Sequence, residues 1–168
     1  RGLPSGSGNA YNLPASVTKT NLIQTFSPNN QNLAFVCGNT IWRTQNLMDA
    51  NPIWTEIMPN PSSIKSLQTV KDHPNILAYS ASNTFFISYN ALSANPTFAS
   101  YTFPIGYSAS SIAISNTDTN LIFVVLNNKI YKSTNGGVAF ADYTGSLPNI
   151  AHKTLFLDDY STDKSLYL

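Results

Sequence analysis

The chain repeats itself every 44 residues. Phe35, Tyr79, Phe123 and Tyr167 recur at that interval, and each lies in a similar apolar run: Leu33-Ala34-Phe35, Leu77-Ala78-Tyr79, Leu121-Ile122-Phe123 and Leu166-Tyr167. A fixed period of this length marks one supersecondary unit copied in tandem. The four rings are expected to mark successive inner strands stacked around a common axis.

Each copy opens with a strand-like stretch: Leu22 to Phe26, Ile64 to Val70, Ser111 to Ile114 and Thr154 to Leu157. A polar turn follows, rich in Asn, Asp and Pro, as in Ser27-Pro28-Asn29-Asn30 and Lys71-Asp72-His73-Pro74. These residues favour turns through local side-chain hydrogen bonds or a fixed φ. The marker ring comes next, on a second strand. A short turn (Gly38-Asn39, Ser82-Asn83, Asn127-Asn128) leads to a third, and a fourth begins at Trp54, Phe98 or Phe140. Four short strands per 44 residues, joined by hairpin-length turns, predict β-propeller blades. A helical solenoid would need apolar residues at i, i+3 and i+4 over ten or more positions, and no window has them.

The second half of the unit repeats as well. Ala50-Asn51-Pro52-Ile53-Trp54 matches Ala94-Asn95-Pro96-Thr97-Phe98, and a hydroxyl-x-Asn pattern recurs as Thr44-x-Asn46, Ser88-x-Asn90 and Ser133-x-Asn135. In the third copy it expands to Ser133-Thr134-Asn135-Gly136-Gly137-Val138-Ala139-Phe140. This segment resembles the Asp-box of BNR (sialidase-like) propeller repeats, Ser-x-Asp-x-Gly-x-x-Trp, with Asn135 in place of Asp and Phe140 in place of Trp. The resemblance implies a structural staple of Ser133, Asn135, Gly137 and Phe140, away from the ligand face. A hydroxyl and an Asx side chain cap backbone amides in such a turn. The run from Ile130 through Leu147-Pro148-Asn149 is similar to blades of secreted Bacteroidetes-type surface proteins. Those often carry a type IX secretion sorting signal, although none is read within these residues.

Three copies are expected to be whole, roughly 15–62, 63–107 and 108–150. The fourth, 151–168, is incomplete, and 1–14 reads as the tail of a preceding blade. The two partial pieces together fall short of one unit, so a partial propeller is predicted, with both ends cut. The remainder of the propeller or another chain would then cover the open blades, because bare sheet faces and edges promote aggregation.

Charged residues make up 10% of the chain and the net charge is +1. Arginine occurs only as Arg1 and Arg43, so the clustered cations of a nucleic-acid surface are missing. No run reaches the roughly 18 apolar residues of a membrane span. Cys37 is alone and reads as a small core hydrophobe. His73 and His152 have no metal-ligand spacing with it or with each other. Neither a cofactor nor a metal is expected.

The acidic residues fall mostly in predicted turns. A glycoside hydrolase needs two carboxylates about 5–10 Å apart across one bond; Asp49 and Asp72 are the first candidates. A sialidase would need three arginines, more than the chain has. Trp42 and Trp54 occupy positions filled by Phe86 and Phe98 in the next copy, which assigns them to blade packing. Tyr89, Tyr107 and Tyr160 fall outside the apolar pattern and form the candidate binding surface. The sequence thus predicts a non-catalytic binding or scaffolding module of a secreted or cell-surface bacterial protein, an adhesin-like part that recognises a glycan or a protein. The rivals are a xyloglucanase-like glycoside hydrolase, with catalytic aspartates partly outside this segment, and a partner-binding assembly factor.

Overall fold

The computed structural model describes residues 13–14, 23–38, 40–59, 64–148, 154–161 and 165–168. Among these the regular structure is all strand. β1 (Ile23–Ser27), β2 (Asn30–Cys37), β3 (Thr40–Thr44) and β4 (Thr55–Pro59) form one antiparallel sheet in sequence order. β5 (Ile64–Val70), β6 (His73–Ala81), β7 (Thr84–Ser88) and β8 (Ala99–Thr102) repeat the arrangement. So do β9 (Ala109–Ile114), β10 (Ile122–Leu126), β11 (Lys129–Ser133) and β12 (Ala141–Asp142). β13 (Phe156–Leu157) and β14 (Leu166–Tyr167) pair as a two-stranded sheet. These four sheets are called blades A to D.

The blades meet through their first strands, since β1 lies beside β5, β5 beside β9 and β9 beside β13. Radial repetition of four-stranded sheets is propeller architecture. The sheets do not close into a ring, so the described part is a partial propeller.

The core lies between blades. Leu33, Phe35, Cys37 and Ile41 of blade A pack against Leu67, Leu77 and Tyr79 of blade B. Val70, Ala78, Phe85 and Ile87 on the other face of blade B meet Ile112, Ile122 and Val124 of blade C. Ala113, Phe123 and Val125 then face Leu155 of blade D. Successive side chains of a strand point to opposite faces. The unbroken apolar run of β10 therefore splits between two interfaces, Ile122 and Val124 to one side, Phe123 and Val125 to the other. Full burial of each such side chain contributes about 1.5–3 kcal/mol.

The expected equivalence of the four rings does not survive. They sit on β2, β6, β10 and β14, the second strands, whereas the first strands are the ones that neighbour each other. Phe35 and Tyr79 enter the same core from facing blades, Phe123 turns toward blade D, and Tyr167 is exposed. Bulges in β1 at Phe26/Ser27 and in β5 at Ile64/Ser66 and Thr69/Val70 shift the local register.

Candidate functional site

The up-and-down order of the strands sorts the connections to two ends. At one end lie the first-to-second-strand turns and the third-to-fourth-strand loops. At the other lie the second-to-third-strand hairpins and the links between blades. Leu126 pairs with Lys129 around Asn127-Asn128, both at positive φ (47° and 63°), the geometry that a type I′ hairpin requires and Asn tolerates.

A line of Asx side chains stitches the blades at the first end. Asn29 Nδ2 donates to Asp72 Oδ1, and Asn116 Nδ2 donates to Asp72 Oδ2 at 3.0 Å. The backbone N–H of Asn116 and the Ser115 hydroxyl, the latter at 2.6 Å, donate to Asp159. His73 Nε2 lies 3.0 Å from the Asn116 carbonyl. Thr69 Oγ1 lies 3.2 Å from Thr25 Oγ1 and donates to the Phe26 carbonyl at 2.9 Å. Asp72 sits at φ 62° in its turn, a conformation that Asp adopts more readily than most residues.

This placement defines what the candidate acids can do. Both carboxylate oxygens of Asp72 hold amide donors from the flanking blades. Asp49 Oδ2 accepts from Asn46 Nδ2 at 2.8 Å within its own loop. Asp158 Oδ1 accepts the backbone N–H groups of Tyr160 and Ser161 at 3.0 and 3.2 Å. Each is engaged as a turn or inter-blade acceptor. Asp163 and His152 lie outside the described residues. Among the described residues no group of three His, Cys, Asp or Glu side chains is placed to hold a metal.

The segment Ser133–Phe140 forms a tight turn at this same end. Ser133 Oγ donates to Asn135 Oδ1 at 2.9 Å and accepts from the N–H of Gly137 at 2.9 Å, while Asn135 Oδ1 accepts from Ala139 N at 3.0 Å. Thr44 with Asn46 and Ser88 with Asn90 repeat the hydroxyl-to-Asn bond at 3.0 Å each. Asn46 and Asn90 receive Ile53 N and Thr97 N at 2.8 and 2.9 Å. Gly137, at φ 92°, packs directly on the Phe85 ring of blade B. Phe140 meets Phe85 and Phe103 edge-on at 5.5 and 5.4 Å between centroids.

The three candidate tyrosines do not form one surface. Tyr89 (51% exposed) and Tyr160 (69%) lie at the Asx end, whereas Tyr107 (51%) follows β8 at the opposite end. Tyr107 borders a shallow recess with Lys65, Gly106, Ser108 and Ser110, and Ser108 Oγ donates to the Ser82 carbonyl. Burial raises the phenol pKa of Tyr89 above its ordinary value, with a smaller contribution from Tyr101.

A concavity of about 380 Å³ opens at the Asx end between β5, β9 and β13. Its apolar side comes from Ile112, Ile114, Leu155 and Leu157, and its polar rim from Gln68, Lys71, Asp159 and Tyr160. Lys71 Nζ donates to the Tyr160 hydroxyl at 2.9 Å and stands 4.9 Å from the ring centroid. This bond runs from blade B to blade D, past the intervening blade. Together with the charge interaction with Tyr160 it also raises the Lys71 pKa, against the opposing effect of desolvation and with a lesser contribution from Asp72. The sequence reading missed Lys71 and Gln68. Gln68 is an interior position of an inner strand and Lys71 an ordinary turn residue, and only three-dimensional packing brings them to Tyr160.

Two further groups were missed or read only as packing. Arg43, 5% exposed, donates from Nη1 to the carbonyls of Ala91 and Ser93 in the next blade, at 2.5 and 2.9 Å, and burial lowers its pKa. Its signal was the repeat itself, since the corresponding residues are Ile87 and Lys132. Tyr79 stacks on Phe86 at 4.6 Å between centroids, and its buried hydroxyl finds no partner among the described residues.

Fold and geometry together define a β-propeller-type repeat protein, of which four successive blades, the last reduced to two strands, are described. No family model matches the chain, and no curated protein matches it. Among solved structures it is similar to an ancestral GH74 enzyme, at 18% identity and a TM-score of 0.55, over 70% of this chain and 18% of that one. It is also similar to a functionally unknown protein from Desulfotomaculum acetoxidans, at 21% identity and a TM-score of 0.54, over 75% of this chain and 43% of that one. The chain therefore spans less than half the length of either, and the likeness shows the fold.

Proposed function

We propose that this chain is a non-catalytic binding or scaffolding module of BNR/Asp-box type, belonging to a secreted or cell-surface bacterial protein. Its partner would be a glycan or another surface protein held at the loop-bearing ends of the blades. One observation carries the reading: the aspartates best suited to catalysis are engaged in holding turns and blades together. Carboxylates whose oxygens accept fixed donors serve as structural acceptors, whereas glycoside hydrolysis needs a pair facing each other across a bound sugar. Exposed tyrosines at both ends supply amphipathic contact area suited to recognition. The hydroxyl-Asn turns of three blades support the Asp-box resemblance through their shared bonding pattern.

A second reading is supported by the likeness to an ancestral GH74 enzyme. In it the chain is part of a xyloglucanase-like hydrolase whose catalytic aspartates lie partly in other blades. A glycan array followed by a reducing-end assay on β-glucans separates the two. Retention of a glycan without turnover supports the binding module. Release of new reducing ends, abolished by Asp72→Asn or Asp49→Asn, would overturn it in favour of hydrolysis.

A further inference from the structure

We propose that the cleft between β5, β9 and β13 is a subsite for a neutral oligosaccharide, which packs against Tyr160 and the apolar wall while Gln68 and Lys71 bond its hydroxyls. The inference rests on the binding-module reading and assigns it a place and a ligand class. Its volume of about 380 Å³ falls within the roughly 300–1,000 Å³ of small-molecule sites. The half-buried Ile114 and Leu157, backed by the buried Ile112 and Leu155, offer an apolar surface to the C–H face of a pyranose, and Tyr160 stands exposed at the rim.

Charge selects a neutral ligand. Lys71 is the one cation of the lining, set against Asp158 and Asp159. The carboxylates already hold backbone N–H or hydroxyl donors, and Lys71 is tied to Tyr160. An anionic ligand would meet this negative balance, and a cationic one would find carboxylates already engaged. Hydroxyl groups both donate and accept, so they can use the remaining ammonium and amide N–H groups and the spare carboxylate lone pairs. The Lys71–Tyr160 bond joins blades B and D over the cleft, which reduces the ordering left to be done on binding.

Saturation-transfer NMR of the protein with β-1,4-linked glucose, mannose, xylose and N-acetylglucosamine hexasaccharides tests the subsite. At least one sugar is expected to receive saturation. Its affinity should fall about tenfold or more in Tyr160→Ala, as for loss of an aromatic anchor, and also in Gln68→Ala, with Met48→Ala unchanged. Circular dichroism of each variant confirms folding, and Tyr160→Phe should retain most of the binding if ring contact dominates. Absence of transfer from all four sugars would overturn the subsite. Transfer kept in Tyr160→Ala and Gln68→Ala but lost in Tyr107→Ala would also overturn it, while leaving a binding module that uses its opposite end.

Discussion

The guanidinium of Arg43 in blade A donates to the carbonyl of Ala91 in blade B at 2.5 Å, and to that of Ser93 at 2.9 Å. It caps a loop of the neighbouring blade from inside the protein. Replacement by Met keeps much of the side-chain volume but leaves buried carbonyls without donors. Arg43→Met should lower the free energy of unfolding by about 1–3 kcal/mol. Arg43→Lys should recover only part of the loss, because a single ammonium lacks the planar fork of donors. Urea denaturation of the three proteins measures this; equal stability of all three would show that the cap is dispensable.

Gly137 adopts φ 92°, and a Cβ there would run into the Phe85 ring. Gly137→Ala should destabilise by roughly 2–4 kcal/mol, from an unfavourable backbone region and a packing conflict between blades B and C. Gly106, around which a Cβ has open space, serves as the control and should tolerate Ala nearly unchanged. A thermal melt distinguishes them.

Asn29 and Asp72 are bonded across the A–B boundary, as are Asn116 and Asp72 across the B–C boundary. Contacting pairs show coupling energies of about 0.5–3 kcal/mol in double-mutant cycles. The Asn29→Ala/Asp72→Ala cycle should fall in that range, and the Asn29→Ala/Asp49→Ala cycle near zero. Additive effects in the first cycle would remove the stitch from the account of how blades are held together.

Asp142 has its pKa lowered to about 2, first by hydrogen bonds from the side chain and backbone of Thr144 and then by Lys129, 3.0 Å away. A depressed folded-state pKa contributes stability above the ordinary carboxylate value of 3.8 that is lost as pH falls through the folded value. The melting temperature should therefore drop between about pH 4 and pH 2, and Asp142→Asn should reduce that drop. An identical acid limb in the variant would assign it to other carboxylates.

Burial raises the Cys37 thiol pKa to about 11, partly offset by a hydrogen bond with the Ile23 backbone. The thiolate is the reactive form, so native protein at pH 8 should resist Ellman's reagent and react fully in denaturant. Rapid labelling of the folded protein would place this thiol outside the A–B core.

The sequence disclosed the fold because each level of the repeat has a local cause. Short apolar runs bounded by turn residues make the strands, and Asn127-Asn128 supplies the paired positive φ angles of a hairpin. Ser133 and Asn135 cap their turn without help from another blade. What escaped was relational. Asn29, Asp72, Asn116 and Asp159 recur at intervals of 43, 44 and 43, yet each looked like an ordinary turn former until the blades were stacked. The Lys71–Tyr160 bond joins residues 89 positions apart and has no one-dimensional pattern. The rings misled for the opposite reason, since constant spacing says nothing of the face each takes, and Phe35 and Tyr79 share one core while Phe123 enters another.

The division of β10 between two interfaces limits how this chain can change length. Inserting one residue within Ile122–Leu126 would exchange the occupants of both neighbouring cores, sending Phe123 where Val124 belongs. Insertions and deletions are therefore tolerable only in the loops, and descendants of this chain can diversify at their two ends while every strand keeps its length.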